Sequence, residues 1–318
     1  MKLLFIIDPL ESLNVKKDST YGMMREGQLR GHEIWVIEQY ELQATTMGIT
    51  FDASKIAIKE GDADWFKIES TENLNPSSVD VVIMRKDPPF NMEYIYATYI
   101  LEAIENEGVL VVNSPRSIRD FNEKYSILKY PDYVAPTIVS SNLKAINKFI
   151  KENGEVVLKP LDGMGGASIF RSRPNDPNLG VIIEILTKQG RDTIMVQRYI
   201  PEITDGDKRV LLIDGEPAPF SLARIPQGND HRGNLAAGGQ GVAMPLNMRE
   251  TEIAKALGPE LASRGLLLVG LDIIGGYLTE INVTSPTCMR EIQDQTGFDV
   301  PSMFIDALEI KVKDFKSK

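Results

Sequence analysis

Short apolar, largely β-branched runs stand at residues 2 to 7, 33 to 38, 79 to 84 and 109 to 112, separated by stretches of helical spacing at about 19 to 30 and 93 to 107. Strand and helix alternate, which predicts an open α/β lobe. Gly31 and Gly108 follow the two helices, where a left-handed residue commonly closes the last turn. Residues 44 to 76 are weakly periodic, with Trp65-Phe66 as the one strong anchor.

A second unit starts near Phe121-Asn122-Glu123-Lys124, passes the turn formers Tyr130-Pro131-Asp132 and Ala135-Pro136-Thr137, and enters a predicted helix at about 142 to 152 that Gly154 ends. The strand Glu155 to Pro160, a hairpin-like return at Ala167 to Phe170, a helix at 179 to 188 and the strand Thr193 to Gln197 complete a small α+β lobe. Further strands are expected at 207 to 213, 216 to 224, 267 to 274 and 277 to 283, with helices at about 249 to 264 and 301 to 313. In the last of these strands, alternation assigns Leu278, Ile281 and Val283 to the core or its flank and puts Glu280 and Asn282 on one face. With Asp272 arriving from the neighbouring strand, these oxygen donors suit a hard cation such as Mg2+ and the phosphates it carries.

The composition, 318 residues with 42% apolar and 25% charged, fits a globular protein of two or three lobes. A formal net charge of −10 argues against a nucleic-acid or anionic-membrane partner, because phosphate backbones reward a basic surface. The opening apolar run is too short for a signal segment or a membrane span before Asp8-Pro9 stops it, so a cytoplasmic chain is expected. One cysteine, Cys288, excludes an internal disulfide or a cysteine zinc cluster, and neither His32 nor His231 comes with a motif that would activate its thiol.

Candidate chemistry is spread over six segments. Lys159-Pro-Leu-Asp162-Gly163-Met164-Gly165-Gly166-Ala-Ser168 is a glycine-rich turn between strands whose N–H groups can approach phosphate, with Lys159 as a charge at the strand end. Alone it reads as a tight turn; the downstream acids favour the phosphate clamp, and the pattern is neither a Walker loop nor a Rossmann fingerprint. Gln197-Arg198-Tyr199-Ile200-Pro201 can read an adenine edge, or simply end a strand. Asp207 and Arg209 share a strand face, and Arg224 ends the next strand. Gln227 to Gly241, carrying His231 and Arg232, has the length of a lid, and Arg232 in it would be a mobile anion clamp or a solvated side chain. Arg85 follows an apolar strand at the carboxyl end, where open α/β sheets bind ligands, though its segment reads equally as a plain strand-to-helix connection, and Ser285-Pro286-Thr287 directly continues the strand of Glu280.

These elements, in this order, resemble the ATP-grasp superfamily. The stretches Met84 to Phe90, Leu158 to Phe170, Leu222 to Gly228, Arg232 to Gly239 and Thr279 to Thr287, with Asp8-Pro9 and Lys16 to Ser19, are similar to bacterial glutathione synthetases across nearly the whole chain. The resemblance implies an α/β ATP-grasp fold: an N-terminal pre-ATP-grasp substrate-binding lobe at 1–121, a central α+β lid lobe at 122–200 and a C-terminal catalytic lobe at 201–318. It implies a ligase that joins γ-glutamylcysteine to glycine with ATP, through an acyl phosphate, and a cytoplasmic homotetramer. Another ATP-grasp carboxylate–amine ligase acting on a dipeptide or peptide tail is the alternative, and a non-catalytic nucleotide-binding module would lack at least one of Lys159, Arg209, Glu280 or Asn282.

Residue by residue, the resemblance implies nucleotide contacts from Lys124, Lys159, Asp162, Gly163, Met164, Gly165, Gly166, Gln197, Tyr199, Ile200 and Asp207. It gives the metal, Mg2+ or Mn2+, to Asp272, Glu280 and Asn282. Arg209, Arg224 and Arg232 carry the catalytic charge, and substrate contacts fall to Arg85, the same three arginines, Asn282, Ser285, Pro286 and Thr287.

Overall fold

The computed structural model describes residues 1–59, 61, 64–163, 165–227 and 238–317. The first sheet is built from β1 (Lys2–Ile7), β2 (Glu33–Glu38), β3 (Gln43–Thr45), β4 (Gly48–Ile58), β5 (Phe66–Leu74), β6 (Val81–Met84) and β7 (Leu110–Val112). Its order is β3-β4-β2-β1-β6-β7, with β5 paired to β4. Strands β2, β1, β6 and β7 are parallel, as the alternation with α1 (Ser19–Leu29) and α2 (Met92–Asn106) requires. Asp18 starts α1 by accepting from the Thr20 and Tyr21 N–H groups at 2.6 and 3.1 Å, and Gly31 and Gly108 close the two helices at φ +79° and +89°. The weakly periodic region is a long antiparallel hairpin, β4 with β5, anchored by Trp65, which packs edge-on to Tyr21 at 5.2 Å.

After α3 (Pro115–Asp120), a four-stranded sheet ordered β10-β9-β11-β8 is made by β8 (Thr137–Ser140), β9 (Val156–Pro160), β10 (Phe170–Ser172) and β11 (Ile194–Arg198). Helices α4 (Leu143–Asn153) and α5 (Leu179–Leu186) bury Ile146, Ile150 and Ile183 against it. Two expectations shift here. Thr137, read as a turn former, opens the edge strand β8, and the return strand after the glycine-rich turn begins at Phe170, opposite Leu158, rather than at Ala167.

The third sheet, ordered β14-β13-β12-β15-β16, comprises β12 (Asp207–Ile213), β13 (Glu216–Ile225), β14 (Gln240–Pro245), β15 (Leu268–Ile274) and β16 (Tyr277–Asn282). Helix α6 (Met248–Ser263) covers one face through Ile253, Leu257 and Leu261. Helices α7 (Met289–Thr296) and α8 (Val300–Lys316) fill the space between the first and third sheets, so Phe5 and Ile83 share a core with Phe304, Leu308, Leu211 and Leu222. Strand β14 and helices α3 and α7 have no counterpart in the sequence reading. No helix among the described residues is long and apolar enough to cross a membrane.

Candidate active site

Strands β15 and β16 are joined by Gly275-Gly276 at φ +56° and +80°, a two-residue turn that needs left-handed backbone at both positions. The register sets Asp272 opposite Glu280 and Gly270 opposite Asn282. Leu278, Ile281 and Val283 are fully buried, each worth about 1.5–3 kcal/mol of apolar burial, which locks the face on which Glu280 and Asn282 stand half-buried. The Asn282 amide donates to the Gly270 carbonyl at 3.2 Å, which turns its own oxygen the other way.

Asp272 is only 3% exposed and is the hub of an ion network. Arg209 grips it in two places, with Nε on Oδ1 and Nη2 on Oδ2 at 3.0 Å. Arg224 Nη2 lies 2.9 Å from Asp272 Oδ2 and 2.6 Å from Asp207 Oδ2, while its Nε donates to the Asp207 carbonyl at 3.2 Å. Burial pushes the Asp207 carboxyl up to about 6, with Asp272 and Glu280 adding to the effect and Arg224 opposing it. Burial would raise Asp272 as well, but Arg209 and Arg224 hold it well below the usual carboxylate range. For both arginines burial works against the charge, and the carboxylates more than restore it.

Gly270 makes room for this arrangement, since a methyl group there would stand 2.8 Å from Arg209 Cδ and 3.0 Å from Pro286 Cβ. Gly270→Ala is therefore expected to move the Arg209 fork and lower kcat by about 10- to 100-fold, with a melting curve close to the parent's. Steady-state rates on the purified variant check this, and an unchanged kcat would remove the positioning role given to Gly270.

The two lysines meet at Glu280. Lys124 Nζ donates to the Gly163 carbonyl at 2.5 Å and lies 3.5 Å from Glu280 Oε1; Lys159 Nζ is 3.5 Å from the Thr279 carbonyl and 3.9 Å from the same carboxylate oxygen. Burial lowers the Lys159 ammonium from its ordinary value, with Glu280 opposing. The glycine-rich turn is tied down by Asn122, whose amide donates to the Leu161 carbonyl at 3.1 Å. Gly165 and Gly166 take φ +61° and +81°, open to few residues other than glycine. Met164 lies outside the described residues. In the neighbouring strand, the Gln197 amide donates to Thr137 Oγ1 at 3.0 Å and the Tyr199 N–H to the Glu155 carbonyl at 2.9 Å, so both of these donors are already engaged. The Tyr199 ring lies under the Arg171 guanidinium, and Ile200 is buried beside it in sequence.

On the opposite wall, Arg85 crosses from the first sheet. Its Nε donates to Thr20 Oγ1 and its Nη2 to the Pro286 carbonyl, both at 3.0 Å. Its Nη1 is buried without a hydrogen-bond partner, as is Asp207 Oδ1. Burial lowers the guanidinium's pKa, with Asp18 and Asp87 opposing. Ser285 donates to Asp87 Oδ1 at 2.5 Å, Pro286 is buried and Thr287 is exposed. Arg232 and His231 lie outside the described residues, as does most of the expected lid; its last two residues, Gln240 and Gly241, already belong to β14. His32 bonds Glu309 at 2.8 Å and the amino terminus, and no bond links it to Cys288. Two residues that the sequence reading assigned no role, Asn113 and Glu123, converge on the end of β16. Their partners are backbone groups and the Thr284 hydroxyl, all far along the chain, and they leave no local pattern.

The prokaryotic glutathione synthetase N-terminal domain matches residues 1–119 and the prokaryotic glutathione synthetase ATP-grasp domain matches residues 123–297. The chain belongs to the prokaryotic glutathione synthetase family. A glutathione synthetase of Nitrosomonas europaea is 53% identical over 97% of this chain and 98% of that protein. Those of Vibrio parahaemolyticus and Salmonella typhimurium are 49% and 47% identical, each over 98% of this chain and 99% of theirs. Among solved structures, a D-cycloserine synthetase superposes with a TM-score of 0.68 at 14% identity, covering 98% of this chain and 99% of that one. The ATP-grasp ligase PsnB with a minimal precursor gives 0.64 at 17%, covering 97% and 99%. At those identities the likeness is one of fold. As a member of the glutathione synthetase family, the chain is an ATP-dependent carboxylate–amine ligase.

The family works with ATP and a divalent metal. Among the described residues no three His, Cys, Asp or Glu side chains form a metal-holding group, and Asp272 already shares both oxygens with guanidinium groups. The half-buried Glu280 and Asn282, with the Asp272 carboxylate opposite Glu280, fit a cation that takes one or two carboxylates and completes its shell from nucleotide phosphates, which is the habit of Mg2+.

Proposed function

We propose that this chain forms glutathione: the cysteinyl carboxylate of γ-glutamylcysteine attacks the γ-phosphorus of ATP, the bond to ADP breaks, and an acyl phosphate results. The amine of glycine then adds to the acyl carbon, and phosphate leaves from the tetrahedral intermediate with the peptide bond formed. The observation that carries the reading is the buried Arg209–Asp272–Arg224 cluster facing, one strand away, a carboxylate shared by Lys124 and Lys159. A carboxylate is a poor nucleophile toward a polyanion, so positioning and charge compensation must provide the rate.

In this reading Lys124 and Lys159 hold phosphate oxygens together with the turn at Asp162 to Gly166, while Gln197, Tyr199, Ile200 and Asp207 border the nucleotide. Glu280 and Asn282, with Asp272 as a third donor shared with Arg209, would carry Mg2+ or Mn2+, which when bound draws charge from the phosphates. A guanidinium has five donors; Asp272 and Asp207 use some of them to aim the forks of Arg209 and Arg224, and the rest face the charge that develops on the transferring phosphoryl and acyl oxygens. Arg85, Asn282 and Ser285 to Thr287 hold the substrate's carboxylates, and Arg232 grips the acyl phosphate. The lobes 1–121, 122–200 and 201–318 then act as substrate platform, lid and catalytic floor of a cytoplasmic homotetramer.

ADP release is the direct test. It is expected to require both γ-glutamylcysteine and glycine, and faster release with another acid and amine pair would sink the assignment in favour of a different ATP-grasp ligase. Glu280→Ala is expected to reduce metal-dependent turnover by about 100-fold or more, in the range seen when one transition-state charge partner is lost. A variant that keeps its rate and its metal dependence would remove the role given to Glu280.

A further inference from the structure

Val283, one residue past β16, has both backbone polar groups captured by side chains from outside its sheet. Its N–H donates to Glu123 Oε1 at 2.9 Å, and its carbonyl accepts from Asn113 Nδ2 at 2.8 Å. The same Glu123 oxygen accepts from the Thr284 N–H at 3.1 Å and from Thr284 Oγ1 at 2.8 Å, and the Glu123 carbonyl accepts from the Ile281 N–H at 2.8 Å. Asn113 also holds the start of β15, donating to the Leu268 carbonyl at 2.7 Å and accepting its N–H at 2.9 Å.

One carboxylate oxygen that gathers three donors from two consecutive residues is a strong local constraint, because charge-assisted bonds are shorter and stronger than neutral ones. It acts where β16 stops being a strand and becomes the Ser285 to Thr287 loop. On either side of Glu123, Asn122 fastens the glycine-rich turn at Leu161 and Lys124 fastens it at Gly163. Nothing in this arrangement places Glu123 against a reacting atom.

We propose that Glu123, with Asn113 as its counterpart from the first lobe, is a positioning residue that sets the hand-over from the metal-bearing strand to the substrate loop. Its carboxylate decides where Ser285 and Pro286 present their groups to the dipeptide, while the nucleotide side is held by its neighbours Asn122 and Lys124. The inference rests on the glutathione-forming reading and adds to it the residue that separates dipeptide recognition from nucleotide recognition.

The test is steady-state kinetics on the full-length enzyme with three variants, E123A, E123Q and T284V. E123A is expected to raise KM for γ-glutamylcysteine by about tenfold or more, with KM for ATP within about threefold of the parent, since only interactions with the displaced loop are weakened. E123Q keeps an acceptor oxygen and is expected to recover most of that loss. T284V removes only the hydroxyl donor and is expected to raise the dipeptide KM by about threefold, on the scale of one hydrogen bond. Equal rises in both KM values, an unchanged dipeptide KM in E123A, or an E123Q variant no better than E123A would each overturn the proposal. Should E123A fail to fold, the split between the two KM values in E123Q and T284V decides the matter. A parent enzyme that releases no ADP with γ-glutamylcysteine and glycine would defeat the underlying reading instead, and the two failures are distinct.

Discussion

Arg224→Met is expected to lower kcat by about a thousandfold and, at neutral pH, to destabilise the protein by about 3–5 kcal/mol. Both effects follow from one geometry. Arg224 lies between Asp207 and Asp272, all three nearly inaccessible to water, and among the described residues only Asp272 of the two has a second ion-pair partner, Arg209. A methionine of similar length fills the space but leaves the Asp207 carboxylate buried without its counter-charge. The sign with pH is therefore defined. Asp207 already titrates above its ordinary value because burial disfavours its ionised form, and loss of Arg224 moves it further up. A carboxyl raised in the fold contributes a penalty at pH above its folded pKa, and the penalty fades as pH falls toward the unfolded value. Denaturant melts of variant and parent should thus differ most at pH 7–8 and converge on acidification toward about pH 4, the ordinary aspartate range. Turnover within tenfold of the parent would exclude Arg224 from charge compensation, and a deficit that grows in acid would exclude the account of Asp207.

Gly258→Ala is expected to destabilise the protein by about 3 kcal/mol while the folded fraction keeps its activity. Glycine in the middle of α6 ordinarily gives away about 1 kcal/mol to alanine, so on helix propensity alone the substitution would stabilise. Packing reverses the sign. The helix crosses the β12–β13 turn at Gly215, and a methyl on Gly258 would stand 3.0 Å from the Gly215 carbonyl carbon and well inside contact with its oxygen. That neighbour is backbone and cannot rotate away, and Gly215 itself is held at φ +83°. The helix would have to lift from the sheet over Leu257 and Leu261, both fully buried. Thermal unfolding compared with kcat per folded molecule separates the effects; a raised melting temperature would show that the close approach does not constrain the pair.

The hairpin of β15 and β16 was legible because alternation and a Gly-Gly turn are local signals; the turn holds, and the alternation holds from Glu280 to Val283, with a bulge between Leu278 and Glu280 that lets Leu278 and Thr279 both be buried. Lys124, Lys159, Arg209, Arg224 and Glu280 were legible as members of one cleft only through their resemblance to a family pattern. The tie of Asp272 to two guanidiniums depends on residues of β12 and β13 that lie 63 and 48 residues away in sequence, which no spacing rule reveals. The β4–β5 hairpin was illegible for a different reason. Strand β5 carries Lys67, Glu69, Ser70, Thr71, Glu72 and Asn73, and apart from Leu74 it buries little, so the edge of the sheet presents no apolar face. Glu123 acts about 160 residues from its partners, two of them backbone N–H groups and one the Thr284 hydroxyl, and a separation of that length leaves no spacing signal in the sequence.

The two family modules meet between residues 119 and 123, yet the four residues from Val283 to Pro286 are held from both sides of that junction. Asn113, Arg85 and Asp87 come from the first module and bind Val283, Pro286 and Ser285 respectively. A chimera that joined this ATP-grasp half to a first half from a distant relative would keep Lys124, Lys159 and the glycine-rich turn, the residues proposed to hold the nucleotide, and is expected still to lose the shape of the loop after β16. Inheritance of the two halves is thereby coupled: on the proposed dipeptide role of this loop, a change of dipeptide preference must be matched at three positions in a segment that, by family boundaries, is a separate piece.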